Sequence, residues 1–572
     1  MEVLKKKKFY IIMAAGIVLI MSAVLLMRVL FVHENYGLRI WFEKQKLLRQ
    51  ESILEHNVYY VNNDKRYVVT DREFYECDVK EIVSKNDMLY LINHPRGYQI
   101  AFPKGVEFDF SASNEFIKAS NDDYSIVVSK EYSPYENTRQ YIKEYLHKFL
   151  MDEKFQSQNK IEILKDEVEK INDLWVQVVF AKRTPAPMSE ITQNVYAYCY
   201  IYDAEQRYYR VMLKGREYND EFIKTVYKML YSFDLNIEIK GQMMNFTDYK
   251  CIEDSDWNDE TKEFYNTLKN SSELKWGIYI PQGVRDLHFD KVEEMERKID
   301  YTFDGMIEYL YYWEDFPTEG IMRAYEKGKI VEVTLQCSTV MNGDLDGWSP
   351  AFDLIDGVFD EDIRKFARAA KEFEHPFLFR LNNEMNSDWT SYCASILMND
   401  PELYQILWKR YYDIFKEEGV DNAIWIFNPN DNTFPPCGYN DPKAYYPGNG
   451  YAHIFGVTGY NTGTYYSETF GEKWREFEEL YDEAYELFDK EFGNFPWIIT
   501  EFASSSVGGD KVEWIHNMFD VIHKYDNIKM AFWFNSADYD PQYPKETVVS
   551  RPYWLDETEE TLMAFGERVS QE

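Results

Sequence analysis

The 572-residue chain is poor in the side chains that announce metal, redox or nucleotide chemistry. Its six cysteines (Cys77, Cys199, Cys251, Cys337, Cys393, Cys437) include no C-x-x-C pair, which removes a zinc ribbon and a dithiol redox motif. Cys337 falls in an expected strand and reads as a small buried hydrophobe. His453, His516 and His523 lack ligand-like spacing, so they are expected to be structural and no metal site is implied. Neither a P-loop nor a G-x-S-x-G elbow occurs, and no cofactor is called for. Positive charge is scarce: 63 Lys and Arg face 99 Asp and Glu, a net charge of −36 that argues against nucleic acid as a partner.

The chain is rich in aromatic rings, which make up 17% of it, and flat rings are what sugar faces stack against. Residues 9–32 form an apolar run broken only by Ser22 and Arg28, directly after Lys5, Lys6, Lys7 and Lys8. A helix of about 20 such residues spans a bilayer. No small-x-small cleavage site follows at residues 31–34, so the segment reads as an uncleaved single-pass anchor behind a basic tail, residues 1–8. Arg39, Lys44, Lys46 and Arg49 balance the lysines before it, so charge alone does not orient the segment. Long domains translocate largely regardless of flanking charge, and a cytoplasmic N-terminus with an extracytoplasmic bulk is expected.

Residues 33–95 read as a polar stalk leading into β-rich sequence. Residues 96–238 mix strand-like runs (YQIAF, SIVVS, WVQVVFA, VYAYCYIYD, YYRVML) with helices expected over 138–151 and 219–231, an α+β module. Its opening residues, Gly97-Tyr98-Gln99-Ile100-Ala101-Phe102-Pro103, resemble the PsbP/Mog1-type fold. It shows no catalytic constellation and reads as a spacer or binding module whose protein partner is unknown. Residues 239–273 are acidic and weakly periodic, suiting a linker or a short helix on the surface of the C-terminal domain.

From residue 274 to 572 apolar strands alternate with amphipathic helices. Strands are expected over 276–281, 306–313, 330–336, 377–384, 423–429, 453–461, 497–502 and 530–535, with helices over 361–374, 401–418, 473–491 and 510–524 between them. Eight such alternations predict an α/β chain end built as a closed (β/α)₈ barrel, a TIM barrel. Active sites of such barrels lie at the C-terminal strand ends. That rule selects Glu384, ending the fourth strand, and Glu501, ending the seventh, from among the many acidic residues. Two carboxyls facing one another across a cleft suit glycoside hydrolysis, one as proton donor and the other as nucleophile or base. An Asn-Glu pair alone means little, since Asn114-Glu115 repeats it; position at a strand end is what raises Glu384 above chance.

Several ordered motifs bear on the same segment: Phe379-Arg380-Leu381-Asn382-Asn383-Glu384-Met385-Asn386 with Trp389, Ile424-Trp425-Ile426-Phe427-Asn428-Pro429-Asn430, Tyr445-Tyr446-Pro447-Gly448, Val457-Thr458-Gly459-Tyr460-Asn461, Ile499-Thr500-Glu501-Phe502, and Phe532-Trp533-Phe534-Asn535. Through them residues 275–536 resemble glycoside hydrolase family 26, the β-mannanase-type family of the retaining barrel clan. The resemblance implies Glu384 as acid/base, Glu501 as nucleophile, Tyr460 hydrogen-bonded to the nucleophile, and Trp389 and Trp533 lining sugar subsites. Where the family places His before the acid/base, this chain has Asn383, the residue used across the wider clan to hold the sugar 2-hydroxyl. The polysaccharide therefore stays open between mannan, mixed-linkage glucan and xylan types. Two further readings stand beside the membrane-anchored β-glycanase: a non-catalytic envelope protein that binds polysaccharide, and a hydrolase of the cell's own exopolysaccharide.

Overall fold

The structure, a computed structural model, describes residues 56–62, 65–69, 80–113, 115–239, 249–339 and 348–571. The apolar segment 9–32 lies outside them. Among the described residues no helix is long and apolar enough to cross a membrane.

The chain divides into two compact units. The first takes residues up to 128 together with 169–175 and 217–248. Its main feature is a five-stranded antiparallel sheet built from His56–Asn62, Lys65–Val69, Lys80–Lys85, Met88–Asn93 and Tyr98–Pro103, with the first two exchanged in spatial order. Asn86 and Asp87, both at positive φ (52° and 59°), turn the chain between Lys80–Lys85 and Met88–Asn93, as a tight hairpin of right-twisted strands requires. The helix Asp220–Ser232 presents Phe222, Val226, Met229 and Leu230 on one buried face. Ser232 at its end accepts the amide of Ala101 at 2.7 Å.

The second unit takes residues 129–168, 176–216 and 249–572. The residues expected to form one module, 96–238, are divided between the two units, and buried ion pairs join those of the second unit to barrel loops. Arg183 grips Asp356 with both terminal nitrogens (2.9 and 2.7 Å), and Lys214 meets Asp400 at 2.8 Å. Both pairs are buried, where breaking one leaves an uncompensated charge.

All eight strands of the barrel are present and parallel: β1 (Lys275–Tyr279), β2 (Gly305–Tyr311), β3 (Ile330–Gln336), β4 (Phe377–Leu381), β5 (Ala423–Phe427), β6 (Ile454–Asn461), β7 (Trp497–Ser504) and β8 (Ile528–Phe534). They close in sequence order, β8 pairing with β1 through Lys275 and Met530. Alternate residues point inward, and Ile307, Leu378, Ile424, Ile454, Ile498 and Met530 meet in the barrel core. The end that carries no chemistry is covered by the stretch expected to be a linker or a short surface helix, and the helix is what forms. Trp257, Tyr265 and Leu268 join the barrel core, the last two from the helix Asp259–Asn270. Trp257 donates to the carbonyl of Ala423 (2.9 Å) and Tyr265 to that of His453 (2.9 Å). His453 itself accepts the amide of Trp425 (3.1 Å), and burial lowers its pKa to about 3, so it is a neutral structural imidazole.

The five described cysteines are free thiols, and Cys337, just past β3, is fully buried.

Candidate active site

The mouth of the barrel is built around Arg380, a cation at 0% exposure on β4. Its side chain points inward on the same parity as Leu378. The guanidinium bonds Thr334 (2.8 Å) and Glu332 (2.7 Å) from β3, Tyr309 (3.1 Å) from β2, Asn428 (3.1 Å) after β5, and Glu501 (2.7 Å) on β7. Arg380 thus pairs Glu332 and Glu501, and a structural pair with its near neighbour Glu384 does not form. Burial raises the pKa of Glu332 to about 7, against the pull of Arg380.

Glu501 lies inside β7 and points into the mouth because of an irregularity. Ile498 faces the barrel core, so strict alternation would turn 500 and 502 inward and 501 outward. The β6–β7 register, however, steps from Val457↔Ile499 to Thr458↔Glu501, leaving Thr500 as an extra residue. This bulge reverses the parity, sending Glu501 inward and Phe502 outward against Phe477 and Trp533. One Glu501 oxygen then receives Arg380 and lies 3.5 Å from the amide nitrogen of Asn383; the other receives the Tyr460 hydroxyl at 2.6 Å.

Glu384 sits three residues past β4 at φ +55°, a left-handed conformation sparsely used by a side chain of this kind. Such backbone persists when its surroundings over-determine it. Here its amide donates to the carbonyl of Asn428 (2.8 Å), its own carbonyl accepts the hydroxyl of Ser387 (2.6 Å), and its carboxylate accepts the amide of Asn430 (2.8 Å). Burial first, then the negative charge of Glu501, holds the Glu384 carboxyl well above the usual carboxylate range; Asp431 adds to this and Arg380 opposes it.

Asn383 is oriented rather than loose. Gln336 and Tyr392 both donate to its side-chain oxygen (2.9 and 3.1 Å), which turns its NH₂ toward Glu501. Burial and the charge of Glu501 raise the Tyr460 phenol well above its ordinary value, so it stays a donor. The structure therefore brings Asn383, Tyr460 and Glu501 together. Trp389 stands partly exposed on the loop beyond Glu384.

Trp533 is a correction. Met530 and Phe532 of β8 face the barrel core, so alternation turns Trp533 outward. There it is fully buried against Phe502, Trp514 and Phe565 and donates to the carbonyl of Tyr553 (2.8 Å), with no face open to a sugar. Its neighbour Phe534 faces the mouth, stacked on Tyr279 (4.7 Å) and edge-on to Tyr460 (5.7 Å). Trp533→Ala is expected to lower stability by about 3–5 kcal/mol as a cavity in packed core; denaturant unfolding checks this, and a loss below about 1 kcal/mol would contradict the placement.

Sequence reasoning also missed Tyr309, Gln336, Asn430 and Trp313. The first two lie on inward parity near the ends of β2 and β3 and could have been found by that rule. Trp313, just past β2, is 53% exposed and stacks on Tyr311 (4.6 Å), an open aromatic platform near the mouth.

The sequence pattern of glycosyl hydrolase family 26 matches residues 290–483, a stretch that includes Glu384 and ends before Glu501. Endoglucanase H of Acetivibrio thermocellus is 30% identical over 230 residues, 39% of this chain and 24% of that protein. A mannan endo-1,4-beta-mannosidase of Bacillus subtilis is 32% identical over 112 residues, 18% of this chain and 29% of that one. The chain spans about a quarter of the length of these curated relatives. Among solved structures, a GH26 beta-mannanase from Bacteroides ovatus aligns over 54% of this chain and 92% of its own, at 14% identity and a TM-score of 0.41. Over residues 290–483 the barrel of this chain carries the pattern of glycosyl hydrolase family 26.

Proposed function

We propose that the barrel hydrolyses a β-linked polysaccharide with retention of configuration, Glu501 acting as nucleophile and Glu384 as general acid and then base. The observation that carries this reading is the asymmetry between the two carboxyls. Glu501 accepts hydrogen bonds from a buried guanidinium and a phenol, which aim its oxygens into the mouth, whereas burial and the neighbouring charge hold the Glu384 carboxyl above the usual carboxylate range. A carboxylate attacking the anomeric carbon and a carboxylic acid protonating the departing oxygen are the two roles the chemistry needs. Once the alcohol has left, Glu384 is ionised and can take a proton from the water that releases the glycosyl group.

The substrate we infer is a β-1,4-linked backbone, by analogy with the glucanase and mannanase relatives. Asn383, its NH₂ directed toward Glu501, is suited to the sugar 2-hydroxyl, and the rings of Trp389, Phe534 and Trp313 to sugar faces. Residues 9–32, apolar and long enough to span a bilayer, favour a chain anchored in a membrane, and action on a polysaccharide favours a barrel held outside.

The test is reducing-sugar release by the full chain on β-mannan, mixed-linkage β-glucan, β-xylan and the cell's own polysaccharide, followed by the anomeric form of the first product. The β-anomer is expected first; an α-anomer, or release unaffected by Glu384→Gln, would refute the assignment. Because the Glu384 proton is held well above the usual carboxylate range, activity should decline on the alkaline side as that proton is lost. In the Glu384→Gln protein the alkaline limb of kcat/KM should vanish, and a pH profile with that limb intact would place it on another group.

A further inference from the structure

Within the second unit, the antiparallel pair Val195–Ala204 and Arg207–Gly215 does more than fill space. The pairing sets Tyr196 opposite Lys214, Tyr198 opposite Met212 and Tyr200 opposite Arg210. Side chains of this face reach the end of the loop that follows Glu384. That end is Met398-Asn399-Asp400, where Met398 and Asn399 are both left-handed (φ 56° and 50°). Tyr198 donates to the carbonyl of Met398 (2.6 Å) and Arg210 to that of Asn399 (2.9 Å). Lys214 pairs with Asp400 (2.8 Å), the residue that caps the helix Pro401–Glu418, and with Glu402. Lys214 and Asp400 are buried, so neither charge has water to fall back on.

The same face holds the second loop of the mouth. Arg210 lies over the Tyr439 ring (4.2 Å), and from another strand, Ser125–Tyr132, the Glu131 carboxylate accepts the amide of Gly438 (2.7 Å). From there bonds run to the carboxyl itself. Asn440 donates to the carbonyl of Asn386 (3.0 Å), Asn386 accepts the amide of Asn430 (2.8 Å), and Asn430 donates to Glu384 (2.8 Å).

We propose that this strand pair, through Lys214, Arg210 and Tyr198, is a positioning element for Glu384: it sets the two loops whose meeting point fixes the Glu384 backbone and its Asn430 partner. The proposal rests on the acid/base reading above. It makes residues 129–168 and 176–216 part of the working enzyme and not a spacer, so that their loss is felt as misplaced acid catalysis.

The experiment compares full-length wild type with Lys214→Met and the milder Tyr198→Phe, which deletes one hydroxyl and retains the ring. Aryl glycosides of the sugar that the wild type releases are used, one with phenol and one with dinitrophenol as leaving group. A poor leaving group needs the proton from Glu384 in the step that kcat/KM reads, and dinitrophenolate does not. The expected result for Lys214→Met is a loss of about 10²-fold on the phenyl glycoside with little change on the dinitrophenyl one, as a small misplacement of a reacting group produces. Tyr198→Phe should show the same selectivity at smaller size. Equal losses on both substrates in both variants, or no loss in either, would overturn the proposal. Hydrogen exchange gives a readout independent of turnover: the amides of Glu384 and Asn430, bonded in the wild type, should exchange faster in the variants. If the wild type cleaves nothing, the acid/base reading has failed; unchanged exchange at those two amides would overturn the positioning claim by itself, and faster exchange would uphold it.

Discussion

Glu501→Gln should lose essentially all turnover, on the order of 10⁴-fold or more, the scale reached when a nucleophile is removed from a site whose other parts remain. The amide has the same shape but no charge to attack the anomeric carbon or to balance the buried guanidinium of Arg380. A second consequence separates this from general damage. The charge of Glu501 is one of the causes that raise the Glu384 carboxyl, so Glu384 should ionise more readily in the variant. Reducing-sugar release measures the first effect, and the carboxyl resonances of the folded variant across a pH titration measure the second. Turnover within tenfold of wild type would remove Glu501 from the chemistry.

Arg380→Met is expected to be the most destabilising single change at the mouth. The guanidinium is the common partner of Glu332 and Glu501, both at 2.7 Å and both buried. Without it two carboxylates face each other in a poorly solvated interior, and breaking a buried pair from one side costs about 3–5 kcal/mol. Denaturant unfolding should show that loss, and adding Glu332→Gln should restore part of it by removing one of the stranded charges. The pH dependence has a definite sign. Burial already raises Glu332 to about 7 from an ordinary value of 4.5, and loss of Arg380 removes what opposes that rise. A carboxyl with a folded pKa above its unfolded one binds more protons in the native state, so its favourable contribution is complete below the unfolded value and is lost as pH climbs through the folded one. The variant should therefore fall furthest behind wild type on the alkaline side. A deficit that grows on acidification would contradict the buried-charge account.

The barrel was readable because its cause is local and repeated. Eight apolar runs, with amphipathic helices between most of them, admit few other architectures, and the observed strands start and stop within a few residues of the expected ones. The candidate carboxyls were readable for a similar reason, since a strand end in such a barrel is also a place in the mouth. Trp533 was misplaced although the information was present: Met530, Phe532 and Phe534 share one parity of β8, and Trp533 has the other. The motif that contains it suggested a sugar-facing ring, and the two-residue period of the strand contradicts that. For residues 239–273 the sequence left a linker and a short surface helix open, and the structure forms the helix Asp259–Asn270. Their composition is acidic and polar, and only the few apolar side chains, Trp257, Tyr265 and Leu268, enter the barrel end. Composition averages over what three anchors accomplish.

By itself the sequence determined the closed parallel barrel, the choice of Glu384 and Glu501 from among the many acidic residues and the absence of any cofactor motif, because periodicity and motif order are properties of neighbouring residues. Tertiary structure alone decided which way the decisive side chains point and what holds them. The extra residue at Thr500 that turns Glu501 inward shows itself in the register of β7 against its neighbours β6 and β8. The left-handed backbone of Glu384 is held by Asn428 from a neighbouring strand end, and the loop beyond it by Tyr198, Arg210 and Lys214, from a distant stretch of the chain. Such contacts join segments far apart in sequence, and no local pattern encodes them; they are settled when the chain closes on itself.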